Sequence, residues 1–167
     1  LYDIPCTGMR FFTVYGPWGR PDMAPMIFTK AIINGDPIDV FNNGNMKRDF
    51  TYIDDVIDGI IECCKKPPLP NKKSSNDESY SSSAPYRVFN IGNSQPVQLL
   101  EFIRLLQKEI GKDAIINYKP MQIGDVASTF ADISKVKKCI NFSPKVSIED
   151  GLKFFVSWYK EYYKIKI

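Results

Sequence analysis

The chain has 167 residues, 44% of them hydrophobic and 13% aromatic, with a formal net charge of +3, which is the size and apolar content of about one domain. It contains no histidine, so histidine-based catalytic triads and the common zinc sites are excluded. No apolar run approaches the ~18 residues of a bilayer crossing, and the lysine pairs are scattered without interleaved aromatics. A cytoplasmic protein with no membrane, metal or nucleic-acid partner is expected.

Residues 7–14 are apolar and β-prone and end at the breakers Gly16, Pro17 and Gly19, which predicts a buried strand running into a loop. Residues 25–34 place Met26, Ile27, Ala31 and Ile32 at helical spacing before Gly35, a helix with a C-terminal stop. Residues 38–41 and 49–53 read as strands flanking Asn42, Asn43, Gly44 and Asn45, a cluster that tolerates positive φ. These two strands are expected to pair or lie side by side. A helix then starts at Asp54 or Asp55, with Val56, Ile57, Ile60, Ile61 and Cys64 on its core face, and ends near Pro67.

Residues 67–85 are rich in Pro, Lys, Asn and Ser without apolar periodicity and are expected to form a mobile loop. Beyond them come a strand over 87–92, a helix within 97–110 ending at Gly111, and a strand over 115–118. The stretch 122–132 reads as a loop leading to a short helix capped by Asp132 or Ser134. Ser147 and Asp150 imitate a capping box that opens a last helix to about Tyr163, with Phe154, Phe155, Trp158 and Tyr162 as its core anchors. The cysteines Cys6, Cys63, Cys64 and Cys139 form no Cys-x-x-Cys pair and are expected to be core thiols.

Four segments carry a family resemblance: RFFTVYGPWGRPDMA (10–24), PIDVFNNGNMKRDFTYIDD (37–55), SSAPYRVFNIGNSQPV (82–97) and MQIGDVASTFAD (121–132). In this order they resemble the extended short-chain dehydrogenase/reductase superfamily, and within it the UDP-glucuronate 4-epimerases. The resemblance implies an α/β fold comprising the last strands of a Rossmann-like sheet and a small substrate-binding lobe, with residues 1–167 as the C-terminal nucleotide-sugar-binding part. Leu1 in place of an initiator Met, and the lack of a glycine-rich dinucleotide turn, lead us to expect a piece of a longer chain whose NAD-binding half precedes it.

The resemblance also implies roles for single residues. Arg48 matches the arginine on the diphosphate, Asp125 the carboxylate on the ribose hydroxyls, and Asp39 and Phe41 the positions beside uracil. Thr13 and Arg20 match the pair holding the hexose C5 carboxylate, and Gln122 stands where relatives acting on neutral sugars carry a second arginine. Tyr15, Gly16 and Pro17 match the turn beside the nicotinamide. No catalytic residue is expected in this chain: the family's Tyr-x-x-x-Lys pair belongs to the missing half, and Tyr162 with Lys166 is a chance match in spacing. NAD, a UDP-sugar and a homodimeric partner are the implied ligands and assembly. The implied reaction is oxidation at C4 and reduction from the other face. A UDP-glucuronate decarboxylase, a sugar 4,6-dehydratase and a non-catalytic nucleotide-sugar-binding module are the alternatives.

Overall fold

The computed structural model of the chain describes residues 2–70 and 84–166, so residues 71–83 of the expected 67–85 loop lie outside the described residues. The expected strand at 7–14 is two strands. β1 (Cys6–Phe11) runs parallel to β5 (Tyr86–Ile91), and β2 (Thr13–Tyr15) runs parallel to β4 (Lys47–Tyr52). The break falls at Phe12, whose backbone N–H donates to Ile91 O at 3.2 Å. There the chain leaves one sheet and enters another, which places Thr13 and Tyr15 at the second sheet.

The two β-prone segments flanking the Asn-rich turn do not pair with each other. β3 (Pro37–Val40) pairs in parallel with β7 (Ile115–Tyr118), while β4 lies between β2 and the antiparallel β6 (Pro96–Gln98). A hairpin is prevented because the connection is a 3-10 turn, Phe41–Gly44, with Asn42, Asn43 and Gly44 at φ 50°, 49° and 80°. Three successive left-handed residues curl the chain away from its own strand, and Asn and Gly are the types that accept this backbone.

The helices form where the apolar spacing put them: α1 (Ala24–Asn34), α2 (Ile53–Lys65), α3 (Leu99–Ile110), α4 (Ser134–Ile140) and α5 (Ile148–Tyr162). Helices α1 and α3 stop at Gly35 and Gly111. Ser147 caps α5 by accepting from the Asp150 N–H at 3.1 Å. Asp132 accepts from the Ser134 N–H at 2.9 Å ahead of α4. One apolar core joins α1, α3 and α5 to β2, β3 and β4 through Ile32, Val40, Phe50, Phe102, Leu106 and Phe155. A second joins α2 and α4 to β5 through Val56, Cys63, Phe89, Ile91 and Val136.

Two helix faces are rotated from expectation. On α2, Ile57, Ile61 and Cys64 are exposed, and Asp55, Val56, Gly59 and Cys63 are buried. On α5, Phe154 and Tyr162 are exposed, while Leu152, Phe155, Val156 and Tyr159 are buried. Apolar spacing fixes the helix but leaves its azimuth to the partners it packs on. Cysteine burial is likewise uneven: Cys63 is buried, Cys139 half-buried, and Cys6 and Cys64 are exposed.

Helix α5 crosses the first core at a glycine. A Cβ on Gly151 would overlap the Tyr15 hydroxyl and come within 2.8 Å of its Cζ, and Tyr15 cannot withdraw because Phe50 and Tyr52 meet its ring edge-on. Ala would gain ~1 kcal/mol of helix propensity, but overpacking costs about 1–3 kcal/mol and a hydroxyl cannot be compressed. Gly151→Ala is therefore expected to be destabilising, read as a lower urea midpoint with an unchanged m-value; a higher midpoint would contradict this packing.

Candidate nucleotide-sugar site

Thr13, Asp39, Phe41, Arg48 and Asp125 line one cavity of ≈ 180 Å³. Strand periodicity delivers most of them. On β3, Ile38 and Val40 point into the core, so Asp39 faces outward, in register with Asn117 of β7. Asn117 Nδ2 donates to Asp39 Oδ1 at 2.7 Å. Thr13 is set by its parallel register with Phe50, and Phe41 by the start of the 3-10 turn.

Asp125 arrives from 77 residues away. The loop carrying it is tacked to β4 by Lys47, whose N–H donates to Ala127 O at 2.8 Å and whose carbonyl accepts from the Thr129 N–H at 3.2 Å. This brings Asp125 Oδ1 to 2.7 Å from Arg48 Nη2, with the two side chains 38% and 18% exposed. A second Arg48 nitrogen, Nη1, donates to Lys47 O at 2.9 Å. The cavity thus presents an oriented guanidinium, two carboxylates, a hydroxyl and an aromatic ring, a donor set suited to a phosphorylated polar ligand.

Asp49 is not a surface partner of Arg48. It is 0% exposed and accepts the backbone N–H groups of Asn93 at 2.8 Å, Ser94 at 3.0 Å and Ala131 at 2.9 Å. Alternation along β4 turns Arg48 to the cavity and Asp49 to this clamp. Asp55 does the same on a smaller scale, accepting from Lys145 and Val146 N–H at 2.9 and 3.0 Å.

Arg20 lies beside this cavity, in a groove of ≈ 310 Å³ that it shares with Tyr15, Gly16 and Pro17. Met23 lines both concavities. Thr13 and Arg20, expected as one pair, therefore stand in adjoining hollows. Arg20 is engaged by Asp22, Nε to Oδ1 at 2.7 Å and Nη2 to Oδ2 at 3.0 Å. That hydrogen bond, with the arginine's charge, holds the Asp22 carboxyl below the usual carboxylate range. The carboxylate form is therefore the one present near neutral pH, and protonation on acidification would release Arg20.

The Tyr15 hydroxyl is pushed well above the usual phenol range, first by burial and then by Tyr52, Asp55, Glu149 and Asp150. It stays protonated at neutral pH and offers no base. Gln122 is exposed and outside the lining of the cavity; its carbonyl accepts from the Asp125 N–H at 3.2 Å in the turn that carries Asp125. Tyr162 ends α5 and stacks on Trp158 at 5.4 Å, whereas Lys166 lies beyond the helix. The two do not share one helix face.

A larger hollow of ≈ 340 Å³ beside α3 is rimmed by Arg104, Lys108 and Lys112. Arg104 is tied to Glu101 and Lys112 to Ile33 O at 2.7 Å, and the hollow has no aromatic lining, so the smaller cavity is the better site. A family model described as the NAD dependent epimerase/dehydratase family matches residues 1–92. The chain belongs to that family.

Among family relatives, Protein CapI of Staphylococcus aureus is 53% identical, covering 98% of this chain and 50% of that protein. A probable UDP-glucuronate 4-epimerase of Rhizobium meliloti is 46% identical, covering 98% of this chain and 49% of that protein. The crystal structure of UDP-glucuronic acid 4-epimerase from Bacillus cereus, in complex with UDP-glucuronic acid and NAD, is 35% identical with a TM-score of 0.79. It is covered to 47% by 97% of this chain. The chain spans about half the length of the curated relatives it matches.

For a family that depends on NAD, the groove at residues 15–17 is the part of this chain to test for fit. It is walled by Phe12, Val14 and Pro17, an apolar lining that suits a flat ring. Gly16 itself is explained internally: at φ 138° a Cβ would come within 2.5 Å of Ile53 Cγ2. Its glycine therefore serves packing and backbone strain as much as any ligand. Sequence reasoning missed Met23, Ala24, Phe28, Met46, Phe50 and Leu99 in the cavity wall. Met23, Ala24, Met46 and Phe50 sit inside the motifs, but apolar residues there read as core.

Proposed function

We propose that the complete protein is an NAD-dependent UDP-glucuronate 4-epimerase interconverting UDP-glucuronate and UDP-galacturonate, and that this chain is its C-terminal nucleotide-sugar-binding part. The observation that carries the reading is the single cavity uniting Thr13, Asp39, Phe41, Arg48 and Asp125, five positions first picked out from three separate motifs. Arg48 takes the diphosphate, for which a planar fork is better suited than an ammonium. Asp125 accepts from the ribose hydroxyls, and Asp39 and Phe41 flank the base. Gln122 serves through its backbone, in the turn that presents Asp125.

NAD supplies the hydride acceptor and donor at C4 when bound, with Tyr15, Gly16 and Pro17 bordering its nicotinamide. Oxidation at C4 makes the sugar a β-keto acid, which loses CO2 if its carboxylate swings into line with the carbonyl π system. Thr13 and Arg20 are assigned the task of holding that carboxylate. No side chain of this segment is assigned proton transfer, so the proposed dinucleotide loop and Tyr-x-x-x-Lys pair belong to the part of the protein outside this chain, and this piece alone is expected to be inactive.

The test is ligand discrimination by the protein at its natural length. Arg20→Ala is expected to weaken UDP-glucuronate by roughly ten- to a hundredfold, the range for a charge-assisted contact, with UDP and UDP-glucose unchanged in calorimetric titration. Equal losses for both sugars would contradict the uronate reading.

The same reading includes a homodimer and an NAD-binding half packed on β1. Among the described residues β1 pairs only with β5, and Tyr2, Ile4 and Phe11, on or just before it, are exposed. An unpaired edge with apolar neighbours favours association. Residues 1–167 produced alone are expected to sediment as self-associated species; a monomer at high concentration would count against this packing.

A further inference from the structure

Residues 20–23, Arg-Pro-Asp-Met, form a turn closed by the Met23 N–H donating to Arg20 O at 3.1 Å. Pro21 occupies its second position, where a fixed φ pre-sets the bend. Asp22 follows and turns its carboxylate back onto Arg20: Oδ1 receives Nε at 2.7 Å and Oδ2 receives Nη2 at 3.0 Å. Arg20 Nη2 also reaches Met23 Sδ at 3.5 Å. This local device restrains a guanidinium that is otherwise exposed.

The restraint has a direction. A guanidinium binds carboxylates along a side edge, Nε with Nη2, or along its end, Nη1 with Nη2. Asp22 occupies the side edge. The Nη2 corner abuts Met23, and Met23 is the side chain common to Arg20's groove and the cavity holding Thr13. Among the described residues Nη1 has no hydrogen-bond partner.

We propose that Asp22 is a positioning residue that holds Arg20 by its side edge and leaves Nη1 as the terminal nitrogen presented to the sugar carboxylate, so that the turn ranks uronates above neutral sugars. The proposal rests on the uronate reading above. Its energetic basis is pre-organisation. The ion pair adds little to stability, because its side chains are 70% and 66% exposed. The ordering of one long side chain before binding is worth about two- to tenfold in affinity. A carboxylate beside an incoming carboxylate is tolerable here because solvent screens both and the arginine stands between them.

The experiment uses the protein at its natural length, with the variants titrated in parallel against UDP-glucuronate, UDP-glucose and UDP. Asp22→Ala is expected to raise Kd and KM for UDP-glucuronate about two- to tenfold, to leave kcat within about twofold, and to leave UDP and UDP-glucose binding unchanged. Asp22→Asn, which keeps one acceptor for the arginine, should fall between wild type and Asp22→Ala. UDP binding, which relies on Arg48, reports that each variant is folded. An unchanged or tighter affinity for UDP-glucuronate in Asp22→Ala overturns the proposal, as does an equal weakening of UDP. Arg20→Ala separates the two levels: if it too leaves the uronate preference intact, the uronate reading itself has failed and takes the proposal with it.

Discussion

Asp49→Ala should cost about 3–5 kcal/mol of stability, measured by denaturant unfolding, a larger loss than that expected of Gly151→Ala. The side chain is fully buried and accepts three backbone N–H groups from two distant segments, Asn93 with Ser94 and Ala131. Removing it strands three buried donors, each costing about 1–3 kcal/mol if unpaired, an upper sum that water entry and local relaxation reduce. Asn is no remedy: its amide offers one acceptor oxygen and turns a donor toward donors. Because one of the stranded donors, the Ala131 N–H, lies just beyond the loop carrying Asp125, that loop should loosen, and UDP affinity should fall with stability. A loss below about 1 kcal/mol would contradict the clamp.

Arg48→Ala should weaken UDP by roughly ten- to a hundredfold in calorimetry, the second largest effect. The arginine is pre-oriented by Asp125 and Lys47 O, so little of its binding energy is spent on ordering. Arg48→Lys should recover only part of the loss, because an ammonium is a point charge and cannot span two phosphate oxygens. Asp125→Ala should weaken UDP less than Arg48→Ala, and the double variant should show a smaller loss than the sum, since the two side chains touch. Additive losses would mean that Arg48 and Asp125 act at separate places.

Helices were the most legible part of the chain because each carries its own period and its own stop: Gly35 and Gly111 ended α1 and α3 where they were expected. Strand partners were not legible. Whether residues 38–41 pair with 49–53 or with 115–118 depends on the left-handed turn at Asn42, Asn43 and Gly44, whose residue types announce positive φ without saying which way the chain departs. The break at Phe12 was hidden for a related reason: apolar residues on both sides suit either sheet.

The site divides similarly. Arg48, Asp39, Phe41, Thr13 and Asp125 were picked out by motif and do share a cavity. Gln122 was picked out by the same means, yet its side chain lies outside the lining, because the turn at Gly124 aims Asp125 rather than Gln122 inward. The role of Asp49 as a clamp could be found only once residues 93, 94 and 131 were brought to it. Asp22 carried no signal beyond its place two residues after Arg20.

The most direct measurement is product analysis: the protein at its natural length, incubated with UDP-glucuronate and NAD, with the nucleotide sugars then separated. The predicted result is an equilibrium mixture of UDP-glucuronate and UDP-galacturonate with no loss of CO2. UDP-xylose, or a 4-keto-6-deoxy sugar from a neutral nucleotide hexose, would contradict it.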